Sequence, residues 1–282
     1  MDNSADQATK ARQFYKLHHS GKLLILPNVW DSLGALLLED LGYPALATAS
    51  FAVAMTNGYD DGENIPFDHL LSILKRIVSV VSLPVTADIE SGYAQDETLL
   101  EENIERLLQT GIVGINFEDS DKKTHSLLPV ETQCRKIRLI RDVSHRSKVP
   151  LFINARTDVY TKGKEFITAR SRIEETIKRG LAYKDAGADC FFPLAMQDYN
   201  EIKKCVGLLQ MPINIIIIPG VPGLNVLEEI GIARVSLGPS FLKIAIKAMK
   251  SLATKLRDHD GLNEIVENEI TSDYLKKLVN KK

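Results

Sequence analysis

A closed eight-stranded parallel α/β barrel, the (β/α)8 or TIM barrel, is the fold predicted by this 282-residue sequence. Three observations predict it: eight short apolar runs rich in β-branched residues, an amphipathic stretch after each, and Gly, Pro, Asn or Asp between the two kinds. The runs are Leu23 to Val29, Ala45 to Ser50, Pro84 to Glu90, Gly114 to Asp119, Leu151 to Asp158, Cys190 to Ala195, Ile213 to Ile218 and Arg234 to Gly238. They are apolar throughout rather than alternating, as strands are when both sheet faces are covered.

Helices are expected over Phe67 to Val81, Glu97 to Gln109, Glu131 to His145 and Phe166 to Lys184, where apolar residues return every three or four positions. Gly42, Gly111, Gly187 and Gly231 stand where such helices should stop. A doubly wound open sheet is the alternative architecture, but no phosphate-binding glycine turn follows the first strand. The expected barrel covers about residues 22–250 of a single domain, 1–282, with a helical tail over about 251–282. Helix from Phe241 to Leu256 and Ser272 to Val279 exceeds what a barrel needs, so a partner subunit is expected to cover or exchange it.

Charged residues at 26% and apolar residues at 44% describe a chain that can bury a core, not a disordered one. A net charge of −2, with both signs scattered, argues against nucleic acid as a partner. Cys134, Cys190 and Cys205 show no zinc-type spacing and read as reduced thiols. No run reaches the ~20 apolar residues that a membrane span needs. Met1 to Lys22 has neither the basic start nor the apolar run of a signal peptide, so a cytoplasmic location is expected.

In this fold, chemistry sits at the carboxyl ends of the strands. Three ends stand out: Ala87-Asp88-Ile89-Glu90-Ser91-Gly92-Tyr93, Asn116-Phe117-Glu118-Asp119-Ser120 and Asn154-Ala155-Arg156-Thr157-Asp158. Asp88 and Glu90, two apart on an extended strand, should point the same way, and Glu118 from the next strand can join them. Like charges confined together call for a cation, and an all-oxygen set suits Mg²⁺, with Mn²⁺ as an alternative. Taken singly, each acid could instead cap a helix or pair with lysine. Arg156 has two readings, an ion pair with Glu118 or Asp158, or a contact to an anionic substrate.

These motifs resemble the isocitrate lyase and phosphoenolpyruvate mutase superfamily. The likeness runs from Leu26-Pro27-Asn28-Val29-Trp30-Asp31 through Ala47-Thr48-Ala49-Ser50, Gly58-Tyr59-Asp60-Asp61-Gly62 and the three strand ends to Val235-Ser236-Leu237-Gly238-Pro239. The resemblance implies an Mg²⁺-dependent barrel enzyme acting on a small α-oxo or α-hydroxy carboxylate, assembled as a dimer of dimers. It implies Asp88 as direct metal ligand, with Asp61, Glu90 and Glu118 holding the metal's waters. Thr48, Ala49, Ser50 and Asn154 fall on the substrate-binding surface, and Arg156 contacts a substrate oxygen.

The chain departs from the lyases in lacking their Lys-Arg-Cys-Gly-His loop; Asp119 to Pro129 stands there instead. Lys123-Thr124-His125-Ser126-Leu127 is similar to the gating segment of the mutases, which makes Lys123 and His125 candidate catalytic residues. Leu194 replaces a substrate-contacting glutamate of the lyases, predicting a less polar wall. The function implied is a carbon–carbon lyase or decarboxylase working at C3 of a pyruvate enolate. The alternatives are a phosphoenolpyruvate mutase or phosphonopyruvate hydrolase, or a silent barrel that binds keto acids.

Overall fold

The computed structural model describes residues 3–166 and 168–280. Among the described residues nine strands form: β1 Leu24–Leu26, β2 Asn28–Val29, β3 Leu46–Thr48, β4 Val85–Asp88, β5 Gly114–Glu118, β6 Phe152–Thr157, β7 Cys190–Pro193, β8 Asn214–Ile216 and β9 Arg234–Ser236. Each of the eight apolar runs thus contains a strand, the first being split at Pro27, which has no N–H to give a ladder. Its carbonyl still accepts from the Ala47 amide at 3.0 Å.

All pairings are parallel, in two sheets ordered β2-β3-β4-β5-β6-β7 and β1-β9-β8. The sheets meet at Pro27, between β1 and β2, and at a parallel bridge from Phe191 of β7 to Ile213. A helix follows each strand unit. The four expected helices appear as Phe67–Val80, Glu97–Leu108, Val130–Arg146 and Ala169–Asp185. Ile167, inside the last expected stretch, lies outside the described residues. The four stop glycines all take positive φ just past a helix end.

Helix Asn3–His18 closes the amino-terminal ends of the strands. Its Ala11 and Phe14 are fully buried against Leu24, Ala45, Val113, Phe152 and Cys190, each at or just before a strand's start. His18 ends this helix, packed on Phe152 with ring centroids 4.2 Å apart, its Nδ1 bonded to the Phe14 carbonyl at 2.9 Å. Burial, reinforced by the Arg234 charge, lowers its pKa from 6.5 to about 3.

The unfolded chain therefore takes up a proton near pH 6.5 that the folded chain refuses until about pH 3. The stability associated with neutral His18 is complete above pH 6.5 and drains away as pH falls through that window, by up to about 1.4 kcal/mol per unit. Urea denaturation of wild type and His18→Leu at several pH values should give curves that diverge in slope between pH 6 and pH 4. Parallel profiles would contradict the assignment.

The tail divides. Helix Ser272–Val279 lies on the chain's own helix Ser32–Asp40, with Leu278 buried and the Tyr274 hydroxyl 3.1 Å from Asp40. Helix Ser240–Arg257 buries only Leu242 and leaves Ile244 and Met249 more than 60% exposed. The second helix thus packs on its own chain through Leu278 and Tyr274, while its Leu275 and Val279 stay exposed. The three cysteines are buried, and desolvation pushes the Cys190 and Cys205 thiols up to about 12. Among the described residues no helix is long and apolar enough to cross a membrane.

Candidate active site

β4, β5 and β6 lie side by side, with Asp88 opposite Asn116 and Glu118 opposite Arg156 in register. β4 ends at Asp88, and Glu90 takes the left-handed conformation, φ +53°. Alternation along an extended strand therefore does not bring Glu90 to Asp88. A tight turn does, in which Glu90, Gly92 and Tyr93 all have positive φ. Only glycine fits at position 92, where φ is +102° and a Cβ would stand 2.5 Å from Leu100 and 3.2 Å from Phe117.

Glu63 braces this turn, a role the sequence reading missed. Its carboxylate accepts from the Ser91 amide at 2.8 Å, the Ser91 hydroxyl at 2.6 Å and the Tyr93 amide at 3.1 Å, while its own amide donates to Glu90 Oε1 at 2.8 Å. A strained backbone persists only where its surroundings over-determine it, and Glu63 supplies that constraint.

The mouth of the strands opens into a cavity of about 590 Å³ walled by Ser50, Asp61, Glu90, Glu118, Arg156 and Leu194, among others. Asp88, half-buried, is hydrogen-bonded to that lining: Ser50 gives its Oδ2 a hydroxyl bond at 3.0 Å, and Thr48 Oγ1 accepts from the Asp88 amide at 3.1 Å. Thr48 and Ser50 thus position Asp88, while Ala49 caps helix Ser50–Thr56 through its backbone alone. Arg156 binds Asp158 in two-pronged fashion at 2.7 and 3.1 Å and Glu118 Oε2 at 2.9 Å. Both ion-pair readings of Arg156 hold together. Of its five N–H donors, those three contacts leave two for a ligand.

Lysines found by the structure complete the network. Lys122 Nζ stands 2.6 Å from Glu90 Oε2 and 2.7 Å from Glu118 Oε1, and Lys162 Nζ is 3.2 Å from Asp158. Beneath them Asp119, fully buried, accepts from the Asp158 amide, the Thr157 and Tyr183 hydroxyls and Arg179 Nη1. Asp119 fixes Asp158, and Asp158 aims Arg156.

Burial pushes up the pKa values of Asp61 and Asp88, against the pull of Lys122 on the first and Arg156 on the second. Desolvation likewise raises Glu90 to about 7 despite Lys122. Glu118 goes the other way: Arg156 and Lys122 outweigh desolvation and hold it well below the usual range.

Among the described residues no three His, Cys, Asp or Glu side chains cage an ion unaided. Glu90 and Glu118 are drawn onto Lys122, whereas among the described residues Asp61 and Asp88 form no ion pair within 4 Å. Two such carboxylates, Asp61 exposed and Asp88 half-buried, suit a divalent ion of the Mg²⁺ kind, which takes one or two carboxylates and keeps its waters.

Of the expected site residues, Thr48, Ala49, Asp88, Asn154 and Lys123 do not line the cavity. Asn154 is fully buried a layer below the cavity, donating to Asn116 Oδ1 at 2.8 Å. It precedes Arg156 by two strand residues, so it shares that side of β6 but sits roughly 6–7 Å deeper. Lys123 lines an adjacent groove of about 750 Å³ with Lys136, whereas Lys122 borders both that groove and the cavity and gives its ammonium to Glu90 and Glu118. His125 does line the cavity, exposed at its rim with φ +52°.

A family profile described as phosphoenolpyruvate phosphomutase matches residues 14–257. An uncharacterized protein of Mycobacterium tuberculosis is 32% identical over 256 residues, 88% of this chain and 90% of that protein. The 2-methylisocitrate lyase of Bacillus subtilis is 24% identical over 275 residues, 94% of this chain and 87% of the lyase. Relatives 25% identical are named oxaloacetate decarboxylase 2 in Pseudomonas fluorescens and phosphoenolpyruvate phosphomutase in Streptomyces hygroscopicus. They cover 88% and 93% of this chain and 84% of each relative. A Burkholderia cenocepacia structure, described as a candidate phosphonomutase, superposes with a TM-score of 0.83 at 36% identity, over 87% of this chain and 99% of that one. A phosphonopyruvate hydrolase crystallised with oxalate and Mg²⁺ shares the fold at 21% identity, with a TM-score of 0.82 over 95% and 94% of the two chains.

Proposed function

The chain belongs to the phosphoenolpyruvate phosphomutase family, within the isocitrate lyase and PEP mutase superfamily, and from that membership we propose that it is an Mg²⁺-dependent carbon–carbon lyase or decarboxylase acting at C3 of a small α-oxo or α-hydroxy carboxylate. One observation carries this reading. Asp61, Glu90 and Glu118 line one cavity with the Arg156 guanidinium, which keeps free donors, and Asp88 is joined to that lining by the Ser50 hydroxyl. The reading takes the two sheets as one eight-stranded barrel closed at Pro27 and at the Phe191–Ile213 bridge.

Asp88 is the residue that would hold the metal directly, and Asp61, Glu90 and Glu118 would hold its waters. When bound, the ion supplies positive charge to the substrate's carboxylate and C2 oxygen. Arg156 would donate its free N–H groups to that same oxygen. Cleavage of the C3–carbon bond leaves its electron pair on C3, delocalised onto the C2 oxygen as an enolate, and charge developing there is what preorganised donors stabilise. Asp158, gripping the Nε–Nη2 edge of the guanidinium, would keep Arg156 from following the substrate out. His125, which lines the rim, would return a proton to C3. Leu194 makes the adjoining wall apolar, which favours a substrate whose departing fragment carries no donor on that side.

A phosphonopyruvate substrate is the second reading, favoured by Lys162 and His125 on the cavity wall, where a phosphonyl group would meet them. The test is pyruvate and phosphate release from oxaloacetate, phosphonopyruvate, 2-methylisocitrate and 2,3-dimethylmalate with and without Mg²⁺. Pyruvate from a carbon acid, abolished by chelator, is the expected result. Phosphate release would select the second reading, and no turnover of any acid would leave a silent barrel. The same reading places a second copy of the chain against the apolar side of helix Ser240–Arg257, since monomers rarely expose so wide a patch.

A further inference from the structure

Lys122 lies on the segment that follows β5, and its ammonium sits between two acids that are almost completely buried, Glu90 and Glu118. We propose, resting on the metal reading above, that Lys122 is an exchangeable counter-cation: its ammonium and a divalent metal compete for Glu90 and Glu118, so metal uptake loosens the 121–127 segment from the cavity.

The geometry sets up the competition. Waters carried by a metal at Asp88 would have to reach the same carboxylate oxygens that Lys122 now holds at 2.6 and 2.7 Å. Glu118 Oε1 also accepts from the Ser120 hydroxyl, and Oε2 is taken by Arg156, so Glu118 has little capacity left for a further donor. Like charges crowded into one desolvated wall repel as well. Without the metal the arrangement makes sense, because two buried carboxylates side by side need a cation and the chain provides its own.

The segment itself is built to move as a unit. Asp121 donates its amide to the Ser126 carbonyl and accepts from the His125 amide, both at 2.9 Å, and its carboxylate accepts from the amides of Lys123 and Thr124 at 2.8 Å. The turn is closed on itself between the paired stems Ser120 and Leu127. Its side-chain bonds to the cavity acids run through Lys122. Because linkage is reciprocal, whatever the latch takes from metal affinity the metal takes from the latch. Metal binding would in this way release His125, which travels on the same turn.

Two measurements test this, neither of them turnover. Mg²⁺ affinity is read by calorimetry for wild type, Lys122→Met and Lys122→Arg, and amide exchange of residues 121–127 is followed by mass spectrometry with and without Mg²⁺. Lys122→Met should bind Mg²⁺ more tightly by a factor on the order of 10, within the usual range of coupling between sites, while Lys122→Arg stays close to wild type. In wild type, Mg²⁺ should speed exchange in the segment; in Lys122→Met, exchange should be fast already and insensitive to the ion. Wild type alone decides the second point, whatever the variant's folding. Unchanged or weaker Mg²⁺ binding by Lys122→Met, or a segment that Mg²⁺ protects in wild type, overturns the exchange while leaving the metal enzyme intact. Absence of Mg²⁺ binding in all three proteins overturns both.

Discussion

Asp88→Ala should reduce kcat/KM for the true substrate on the order of 10³-fold, with the fold intact by circular dichroism. The magnitude follows from the proposed role of Asp88 as the direct ligand of an ion whose charge stabilisation would be worth several kcal/mol, at about 1.4 kcal/mol per tenfold in rate. The specificity of the effect matters as much as its size. Asp88 sits half-buried with only Ser50 and two backbone amides on its carboxylate, so no ion pair is broken when it is removed. A loss of activity there reads on chemistry rather than on stability. Steady-state kinetics in saturating Mg²⁺ checks it, and turnover within a few-fold of wild type would remove Asp88 from the mechanism.

Asp119→Ala should cost about 3–5 kcal/mol of folding stability, the range for taking one partner from a buried ion pair. Asp119 is fully enclosed and its Oδ2 receives Arg179, Tyr183 and Thr157 at 2.9, 2.7 and 2.6 Å. Removal leaves Arg179, itself only 4% exposed, with a charge its remaining partners, Glu175, the Leu128 carbonyl and the Tyr183 hydroxyl, only partly answer. Arg179→Met added to Asp119→Ala should therefore recover part of the loss, since a pair replaced by apolar groups costs far less than a pair broken. Urea denaturation of the single and double variants measures both numbers. A single-variant loss under about 1 kcal/mol, the size of an exposed pair, would contradict the assignment.

The strands and helices were legible because burial on both sheet faces writes long apolar runs and because helix ends use glycine at positive φ. Asp88, Glu118 and Arg156 were legible too, since their position at a strand's end is itself the signal. Glu90 was picked for an incomplete reason: the strand stops before it, and a turn stabilised by Glu63, 27 residues upstream, delivers it. Nothing local in the sequence marks Glu63, because its partners are amides of a distant turn. Lys122 and Lys162 look like any solvated lysine until the sheet brings Glu90, Glu118 and Asp158 to them. The choice of Lys123 over Lys122 shows the limit most plainly, because which neighbour turns inward depends on a backbone knot built by Asp121. Asn154 was misplaced for the complementary reason: a strand pattern gives the side a residue faces but not its depth in the core.

Crystals grown with Mn²⁺ and oxalate, an analogue of the pyruvate enolate, test the central claim most directly. Anomalous scattering should show one Mn²⁺ bound by an Asp88 oxygen, with Asp61, Glu90 and Glu118 around its waters and Arg156 on the oxalate. A peak elsewhere on the protein, or none in this cavity, would contradict the account.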